Sequence, residues 1–403
     1  GEPASNRITI AVGNENEGRW VLPFEQMIPA DAYLWSRYRD DSELMNRFVE
    51  LTEYGNTKKL DTYGTIGDDS VVKNTTLIKD AKIGESAYIK GAFKIKNVTI
   101  LSSQEEMSQI GEGVELVNGI MGYGSRVFYQ AVAVRFVIGR NCQLKYGARL
   151  LNSVIGDNST VSCCELLNNL IFPFHEQHHN SSFLIATTIM GQSNIAAGST
   201  IGSNHNSRSP DGEIIAGRGF WPGLCSDFKH NSKFASFSLI SKGSYQQELN
   251  ICYPFSLVAP GKDSSNAIYI IPAWWFMYDM FAIVRNRYKF KKRDKRAVKI
   301  QNIEMDPLAP DTMQEVLAAI ARIIELTQAK LADFGKTFDS SEQVDVRQIA
   351  KDYLHQHSEE DFELFDRLCQ KKYGAVIIKP TKAYKMYRKI LKKKKKKKLV
   401  DYC

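Results

Sequence analysis

The chain has 403 residues, of which 43% are hydrophobic and 24% are charged. This composition is typical of an ordinary soluble protein with a large core and more than one structural unit. Seven cysteines, two of them adjacent at positions 163 and 164, make a poor disulfide framework, and no basic-then-apolar leader opens the sequence. These features argue against a disulfide-rich secreted protein and predict a cytoplasmic location.

The formal net charge of +8 is concentrated in two tracts. Residues 285–296 carry eight Lys or Arg against one Asp, and residues 382–398 carry eleven with no acid. Clustered cations attract nucleic acids and anionic membranes. The Lys run at 392–398 has no aromatic residues between its charges, so a solvated tail with no specific nucleic-acid partner is the favoured interpretation.

The first 59 residues divide into two segments. Residues 1–23 contain a short strand that ends at a turn, which we interpret as the continuation of further coils upstream of the main repeat. Residues 24–59 read as a helical insertion, because Ser42 precedes an apolar-periodic run that stops before Gly55.

Between residues 60 and 271 an aliphatic residue returns every six positions. The series starts at Ile66, Val72 and Ile78, and after one missing residue continues at Ile83, Ile89 and Ile95. A hexapeptide period predicts short strands joined by sharp corners, with about three hexapeptides in each coil of a solenoid. An ordinary meander would instead alternate with period two. The repeat recurs at Ile110, Ile138, Ile155, Ile195 and Ile201.

These hexapeptides resemble those of the left-handed parallel β-helix acyl- and acetyltransferases. The resemblance implies a mainly β, three-faced prism wound left-handed, against the usual right-handed rule for parallel crossovers. It also implies an acyl-CoA or acetyl-CoA co-substrate, a histidine general base without a covalent enzyme intermediate, and a homo-oligomer such as a trimer. The stretch from His175 through His230 resembles a bacterial family of hexapeptide-repeat transferases, which supplies a class but no substrate.

Polar residues gather where the repeat is interrupted. The first interruption, at 172–181, contains three histidines and Glu176, and in the second a histidine replaces the small inward residue of other repeats. With about eighteen residues in a coil, we expect these interruptions and the 218–230 segment to meet at one cleft. The candidate catalytic residues are His205, His179, His178, Asn204 and Asn206. The candidate substrate-binding residues are His175, Glu176, Arg208, Arg218, Trp221, Lys229 and His230.

Acyl transfer needs a base for the acceptor proton, and histidine suits this role because its pKa lies near neutrality. His205 is the first candidate, oriented by the asparagines on either side, and His179 is the second, with His178 beside it. Arg208, Arg218 and Lys229 are suited to a phosphate of a coenzyme or of a sugar nucleotide. We therefore expect a sugar or nucleotide-sugar acceptor. Each histidine taken singly also fits a loop imidazole that satisfies backbone groups.

Two further classes remain open. Some hexapeptide proteins are zinc hydratases that bind the metal through three histidines. The adjacent pair at 178–179 and the irregular loops do not match their regular spacing, so no metal is expected. A structural or oligomerisation scaffold would explain the prism but not the clustered polar residues. Residues 1–60 offer no Gly-rich phosphate loop of a nucleotidyltransferase.

Residues 272–403 read as a helical region with a basic tail. Asp311 or Thr312 caps an apolar-periodic helix, and residues 358–361 form a capping box before another predicted helix. The apolar stretch 267–284 runs into the first basic tract. Pro272 and Asp279 interrupt this stretch, so a helix packed on the prism is favoured and membrane association through 267–296 is the alternative.

Overall fold

A computed structural model describes residues 7–15, 18–55, 64–203, 212–261, 267–333, 345–357, 362–368 and 374–400. At residues 55, 203 and 395–400 only the backbone is described.

Short strands dominate the described chain up to residue 271. The strands are β1 (Ile10–Ala11), β2 (Trp20–Val21), β3 (Thr65–Ile66), β4 (Val71–Lys73), β5 (Leu77–Ile83), β6 (Tyr88–Lys90), β7 (Lys94–Ile100), β8 (Gln109–Ile110), β9 (Glu115–Met121), β10 (Arg126–Val127), β11 (Val132–Ile138), β12 (Gln143–Lys145), β13 (Arg149–Ile155), β14 (Thr160–Ser162), β15 (Glu165–Leu167), β16 (Leu170–Ile171), β17 (Glu176–Gln177), β18 (Phe183–Ile185), β19 (Thr187–Ile189), β20 (Thr200–Ser203), β21 (Ile214–Ala216), β22 (Trp221–Pro222), β23 (Ser226–Lys229), β24 (Lys233–Phe234), β25 (Leu239–Ile240), β26 (Gly243–Tyr245), β27 (Asn250–Ile251), β28 (Leu257–Pro260), β29 (Ile268–Ile271), β30 (Glu363–Asp366) and β31 (Ala375–Ile378). The helices are α1 (Pro29–Arg37), α2 (Ser42–Gly55), α3 (Trp274–Tyr278), α4 (Met280–Arg293), α5 (Pro310–Asp333), α6 (Val346–Gln356) and α7 (Pro380–Val400).

Strands β3 to β28 stack into a parallel β-solenoid, as the hexapeptide period predicts. The main path of the 16-stranded sheet contains eleven strands, from β3 to β26, and a 7-stranded sheet runs from β4 to β17. Successive coils pair in parallel register, with Val132 of β11 opposite Arg149 of β13, so one coil spans about 17 residues. The fold is therefore mainly β with helical additions.

Residues with positive φ form three columns that mark three corners of each coil. Left-handed backbone is costly for residues with a Cβ, so its regular recurrence identifies the sharp bends. The first corner carries Asp80, Asn97, Asn118, Arg135, Asn152, Asn168 and Ala186. The second carries Asn141, Asn158, Phe174, Gln192, Gly219, Phe237 and Phe255. The third carries Asn74, Gly91, Gly113, Gln130, Gly147, Cys163, Ser181, Gly198 and Cys225.

Asparagines at the corners also bond to one another between coils. Asn97 Nδ2 donates to Asn118 Oδ1 at 3.0 Å, and Asn141 Nδ2 donates to Asn158 Oδ1 at 2.7 Å. The inside of the prism is aliphatic in the middle coils and becomes aromatic in the later ones, where Phe220, Phe228 and Phe234 are buried side by side. From Ile83 onward the aliphatic hexapeptide positions therefore fill the core as expected, whereas Ile66 and Val72 in the first described coil are 59% and 40% exposed.

The first described residues pack against the outside of the prism and are not part of its stack of coils. Strand β1 pairs antiparallel with β2, and the hairpin packs with α1 and α2 on outward-facing Val137, Val154 and Leu170. Asn168 of the first corner holds the hairpin, accepting at its carbonyl from Gly13 N (2.7 Å) and donating from its side chain to Ala11 O (2.9 Å). Strand β1 therefore belongs to a separate two-stranded sheet and does not pair with the described coils. Two helices occupy the stretch predicted as a helical insertion.

The C-terminal region closes the last coil. Strand β29 reverses against β28, and β31 and β30 extend the same sheet. Helix α7 covers the end of the prism, where Tyr387 Oη donates to Pro254 O at 2.6 Å. Tyr253 Oη donates to the buried Asp366 carboxylate at 2.6 Å. Helix α5 begins at Pro310, so the predicted caps Asp311 and Thr312 lie within its first turn. The helix predicted after the capping box is wrong, because Glu363–Asp366 is strand β30. The capping box itself lies outside the described residues.

Glu315 of α5 makes stability depend on pH. Burial raises the pKa of this carboxyl to about 7, although the hydrogen bond that it accepts from Ser236 N at 2.9 Å lowers the pKa. The folded state therefore holds the proton more tightly than the unfolded chain, and stability falls as pH rises from about 4.5 to 7. We expect Glu315→Gln to reduce this loss of unfolding free energy by up to about 3 kcal/mol. Urea unfolding of both proteins at pH 5 and pH 8 measures the difference, and parallel curves would contradict it.

Candidate functional site

The predicted site residues lie at different corners of the prism. His178 and His179 follow β17 at the third corner, Arg218 precedes β22 at the second, and His230 follows β23 at the first. For the described residues, the expectation of one shared cleft is therefore wrong. The other candidates, Asn204, His205, Asn206 and Arg208, lie outside the described residues.

His175 is a structural residue of the interior. Its ring is fully buried, with Nδ1 2.8 Å from Ser193 Oγ and Nε2 3.0 Å from Gln177 Oε1. Burial lowers the pKa of the imidazole to about 4, although the bond to Gln177 acts in the opposite direction. The ring is therefore neutral at pH 7 and does not face solvent, so it has no direct access to a substrate.

A carboxylate and an imidazole meet at the third corner. Glu176 Oε2 lies 3.3 Å from His178 Nδ1, and Glu176 Oε1 accepts from Arg293 Nη1 of α4 at 2.7 Å. The Glu176 side chain is 14% exposed, whereas the His178 side chain is 41% exposed. The carboxylate is thus held from one side by an arginine and orients the imidazole from the other, which directs Nε2 away from the carboxylate. We call Glu176 and His178 the carboxylate–imidazole pair.

The surroundings of the carboxylate–imidazole pair keep the imidazole neutral. Burial lowers the pKa of His178, Glu176 raises it, and the nearby His179 and Lys289 lower it further. The ring of His179 lies close by, with its centroid 4.4 Å from that of His178. An imidazole with a pKa below its usual value is mostly unprotonated at pH 7, as a general base must be.

Arg218 holds the C-terminal region to the prism. Its Nε and Nη2 donate to the two carboxylate oxygens of Asp311 at 2.7 and 2.9 Å, and Nη2 also reaches Thr312 Oγ1 at 3.0 Å. Its Nη1 donates to the carbonyls of Glu304 and Asp306. Every nitrogen of the guanidinium therefore has a partner in the protein, which leaves little capacity for a substrate phosphate.

The remaining described candidates also contact protein groups. Trp221 stacks on Trp275 with ring centroids 5.8 Å apart, and Lys229 Nζ lies 3.5 Å from Glu248 Oε1. His230 is buried, with 2% of its surface exposed. Of the predicted residues that the structure describes, only Glu176, His178 and His179 form an exposed cluster of catalytic type.

Metal-ligating side chains are not grouped in the described part of the chain: no three His, Cys, Asp or Glu residues there lie close enough together to hold an ion. Two cavities lie away from the carboxylate–imidazole pair. One cavity of about 690 Å³ lies between α5, α6 and α7, and another of about 440 Å³ lies beside α1 and α2. Neither contains a predicted site residue.

Sequence reasoning missed the contribution of α4 to the third corner. Arg293 and Lys289 come from the first basic tract, more than a hundred residues after Glu176, and both act on the carboxylate–imidazole pair. The density of charge in this tract is plain in the sequence, but the coil that it lies against is not. Glu213 was also missed: it binds Arg19 and Arg37 and so fastens the N-terminal hairpin and α1 to the prism.

Comparison with known proteins places the chain in a family. Residues 3–327 match the family described as "Domain of unknown function (DUF4954)", and the chain belongs to this family. A protein of Treponema pallidum (strain Nichols), named "Uncharacterized protein", is 50% identical over 391 residues. That alignment covers 97% of this chain and 53% of the relative, so the chain spans about half the length of the relative.

Proposed function

We propose that this chain is an acyltransferase with a left-handed β-helix, which transfers an acyl group from acyl-CoA or acetyl-CoA to a sugar or nucleotide-sugar acceptor. The observation that carries the proposal is the carboxylate–imidazole pair at the third corner, with Glu176 3.3 Å from Nδ1 of an exposed His178. This arrangement is what a general base requires: an oriented ring, a second nitrogen to which no described residue bonds, and access from solvent.

His178 takes the proton from the acceptor hydroxyl or amine as that atom attacks the acyl carbonyl. The carbon–sulfur bond of the thioester then breaks, and the coenzyme thiolate leaves. Glu176 stabilises the imidazolium that forms, and Arg293 keeps the carboxylate in place. Lys289 of α4, which is half-buried near His178, is suited to a phosphate of the donor or of a nucleotide-sugar acceptor.

The protein in this proposal works in the cytoplasm as a homo-oligomer, such as a trimer, in which a neighbouring copy supplies the second wall of the site. Cysteines at five described positions are free thiols, which fits a reducing compartment. An exposed corner alone forms an open surface, so a second wall is needed to exclude water from the thioester.

A screen of the purified chain tests the proposal. Acyl-coenzymes and nucleotide sugars are added singly and in pairs, and the melting temperature and the release of free thiol are both measured. We expect an acyl-coenzyme to raise the melting temperature by mass action and a matching acceptor to release the thiol. Neither stabilisation nor thiol release with any pair would contradict the proposal and favour a scaffold.

A further inference from the structure

Helix α4 has one face on the prism and one face in solvent. Its buried residues are Ala282, Ile283 and Phe290, and Phe290 packs on Phe174 of the second corner. On the opposite side Phe281 is 72% exposed, Val284 59% and Tyr288 68%. The spacing of these three at i, i+3 and i+7 places them in one stripe along the helix. A helix therefore carries large apolar side chains on the side away from the core.

Cations border this apolar stripe. Arg285 and Lys292 lie beside Phe281 on the helical wheel, and both are exposed, as is Lys291 on the other border. No Asp or Glu occurs between Met280 and Arg293. The outer face of α4 thus combines apolar side chains along its middle with positive charge on both borders.

The basic part of α7 lies close to α4. Lys379, just before α7, donates to Tyr278 Oη at 2.7 Å. Tyr278 directly precedes the N-cap residue of α4. Near the other end of the helix, Lys394 Nζ lies 3.1 Å from Asp306 Oδ2, and Arg287 of α4 acts on the same carboxyl. The two basic tracts are therefore neighbours in space, although about ninety residues separate them in sequence.

We propose that the outer face of α4 docks on an anionic lipid surface, with Phe281, Val284 and Tyr288 at the boundary between headgroups and acyl chains. The bordering cations of α4 contact the headgroups, and the neighbouring basic part of α7 adds to the positive potential. A helix with an apolar stripe and basic borders is suited to lying in the plane of a bilayer. In the described part of the chain no helix is long and apolar enough to cross one, so the contact is peripheral.

The aliphatic centre of the face distinguishes lipid from nucleic acid. A groove for single-stranded nucleic acid places aromatic rings where bases stack, and a valine between two rings offers no such platform. Val284 and Phe281 instead supply apolar area, which membrane insertion rewards. The inference is independent of the proposed acyl transfer.

Cosedimentation of the whole chain with lipid vesicles tests the inference. We expect binding to vesicles of phosphatidylcholine with about one third phosphatidylglycerol, little binding to phosphatidylcholine alone, and weaker binding as salt rises. Equal binding to both vesicles, or binding to neither, would overturn it.

Two pairs of variants separate the apolar and the charged contributions. Phe281→Ser with Tyr288→Ser leaves the charge unchanged and should weaken vesicle binding by about tenfold or more. Its control is Tyr129→Ser with Tyr146→Ser, which removes two exposed rings that stack on each other on the prism. Arg285→Gln with Lys292→Gln should weaken binding to a similar degree, whereas Lys79→Gln with Lys96→Gln, which removes two exposed charges of the prism, should not.

Three outcomes would overturn the inference about the outer face of α4. Loss of vesicle binding with the prism variants as well would show unspecific attraction. Unchanged vesicle binding of the Phe281 and Tyr288 variant, together with tight binding of single-stranded RNA, would show a nucleic-acid surface. A change from dimer to monomer in that variant, measured by light scattering, would show that a second copy of the chain covers the face. Circular dichroism of each variant confirms that it is folded.

Discussion

His178→Gln is expected to lower the rate of the proposed acyl transfer by about 10²- to 10⁴-fold without unfolding the protein, because glutamine cannot take a proton from the acceptor. The side chain is 41% exposed at the third corner, so its replacement leaves no large cavity. The loss should appear in kcat and in kcat/KM alike, since the base acts in the transition state. Thiol release under single-turnover conditions measures the chemical step directly.

Glu176→Gln separates orientation from chemistry. It removes the carboxylate that raises the pKa of His178, so the pH at which activity is half-maximal should move further down while the maximal rate also falls. In the wild-type chain, activity should rise with pH through a pKa below the usual 6.5 of histidine and then remain level. His355→Gln on α6 is the matched control, because this histidine is exposed and far from the third corner along the chain.

His179→Gln decides between the two adjacent histidines. Its ring lies 4.4 Å from that of His178, so it perturbs the base only through charge, and we expect less than about a threefold change in rate. Loss of activity in His179→Gln with full activity in His178→Gln would transfer the role of base to His179. Full activity in both would remove this corner from the mechanism.

The prism was predictable because its core is a repeated local pattern. Each aliphatic residue that returns after six positions fills the same inward place in its own hexapeptide, and a coil depends chiefly on its neighbours above and below. Helix α5 was predictable for a similar reason, since Pro310 and the polar residues after it mark a helix start within a few residues. Such signals need no knowledge of distant parts of the chain.

The division of the candidate residues among corners follows from the phase of the repeat. Counting hexapeptides places His179 after the strand of one face and His230 after the strand of another. Residues at different corners are separated by the width of the prism, even where their coils are close in the stack. The phase of the hexapeptides therefore assigns the candidate residues to three separate corners. The length of a coil alone does not reveal this.

Tertiary contacts explain the features that no local pattern contains. The segment after the capping box has apolar residues that suit a helix. It forms strand β30 instead, because pairing with β31 extends an existing sheet. Strand β1 could not be distinguished by sequence from a strand of the prism. The segment between β1 and its antiparallel partner β2 has a composition similar to that of the corners of the prism. Arg218 resembled an anion ligand because its partner Asp311 lies 93 residues further along the chain.

Arg296→Ala is expected to lower the free energy of unfolding by about 3–5 kcal/mol, because it removes the buried guanidinium that two buried carboxylates share and leaves Asp294 with the exposed Lys299 at 3.6 Å as its cation. Arg296 Nη1 lies 3.0 Å from Asp157 Oδ2 of the second corner, and Arg296 Nε lies 2.8 Å from Asp294 Oδ1. The arginine side chain is 2% exposed and those of the two acids 4% and 6%. Arg47→Ala is the control, since its pair with Glu50 is exposed and is worth only about 0.5 kcal/mol.

The pH dependence of this variant identifies the cause. Burial alone would raise the pKa of Asp294, but hydrogen bonds from Arg296 and Asn158 outweigh it and hold the pKa at about 2. Without the arginine, burial dominates at Asp294, and its carboxyl protonates more readily. The destabilisation should therefore be largest near pH 7 and shrink as pH falls toward about 4. Urea unfolding at both pH values measures this, and an equal loss at each would show that packing, not charge, is responsible.

The triple variant Arg296→Met, Asp157→Asn, Asp294→Asn tests the same point from the other side. It removes all three charges while keeping the side-chain volumes similar, so it should recover most of the stability that Arg296→Ala loses. Arg296 also fixes the segment between α4 and α5, through its bond to Gln301 O at 3.3 Å. Trypsin should therefore cut at the exposed Lys299 faster in Arg296→Ala than in the triple variant. Equal cleavage in the two variants would mean that the guanidinium itself, and not the balance of charge, holds this segment against the prism.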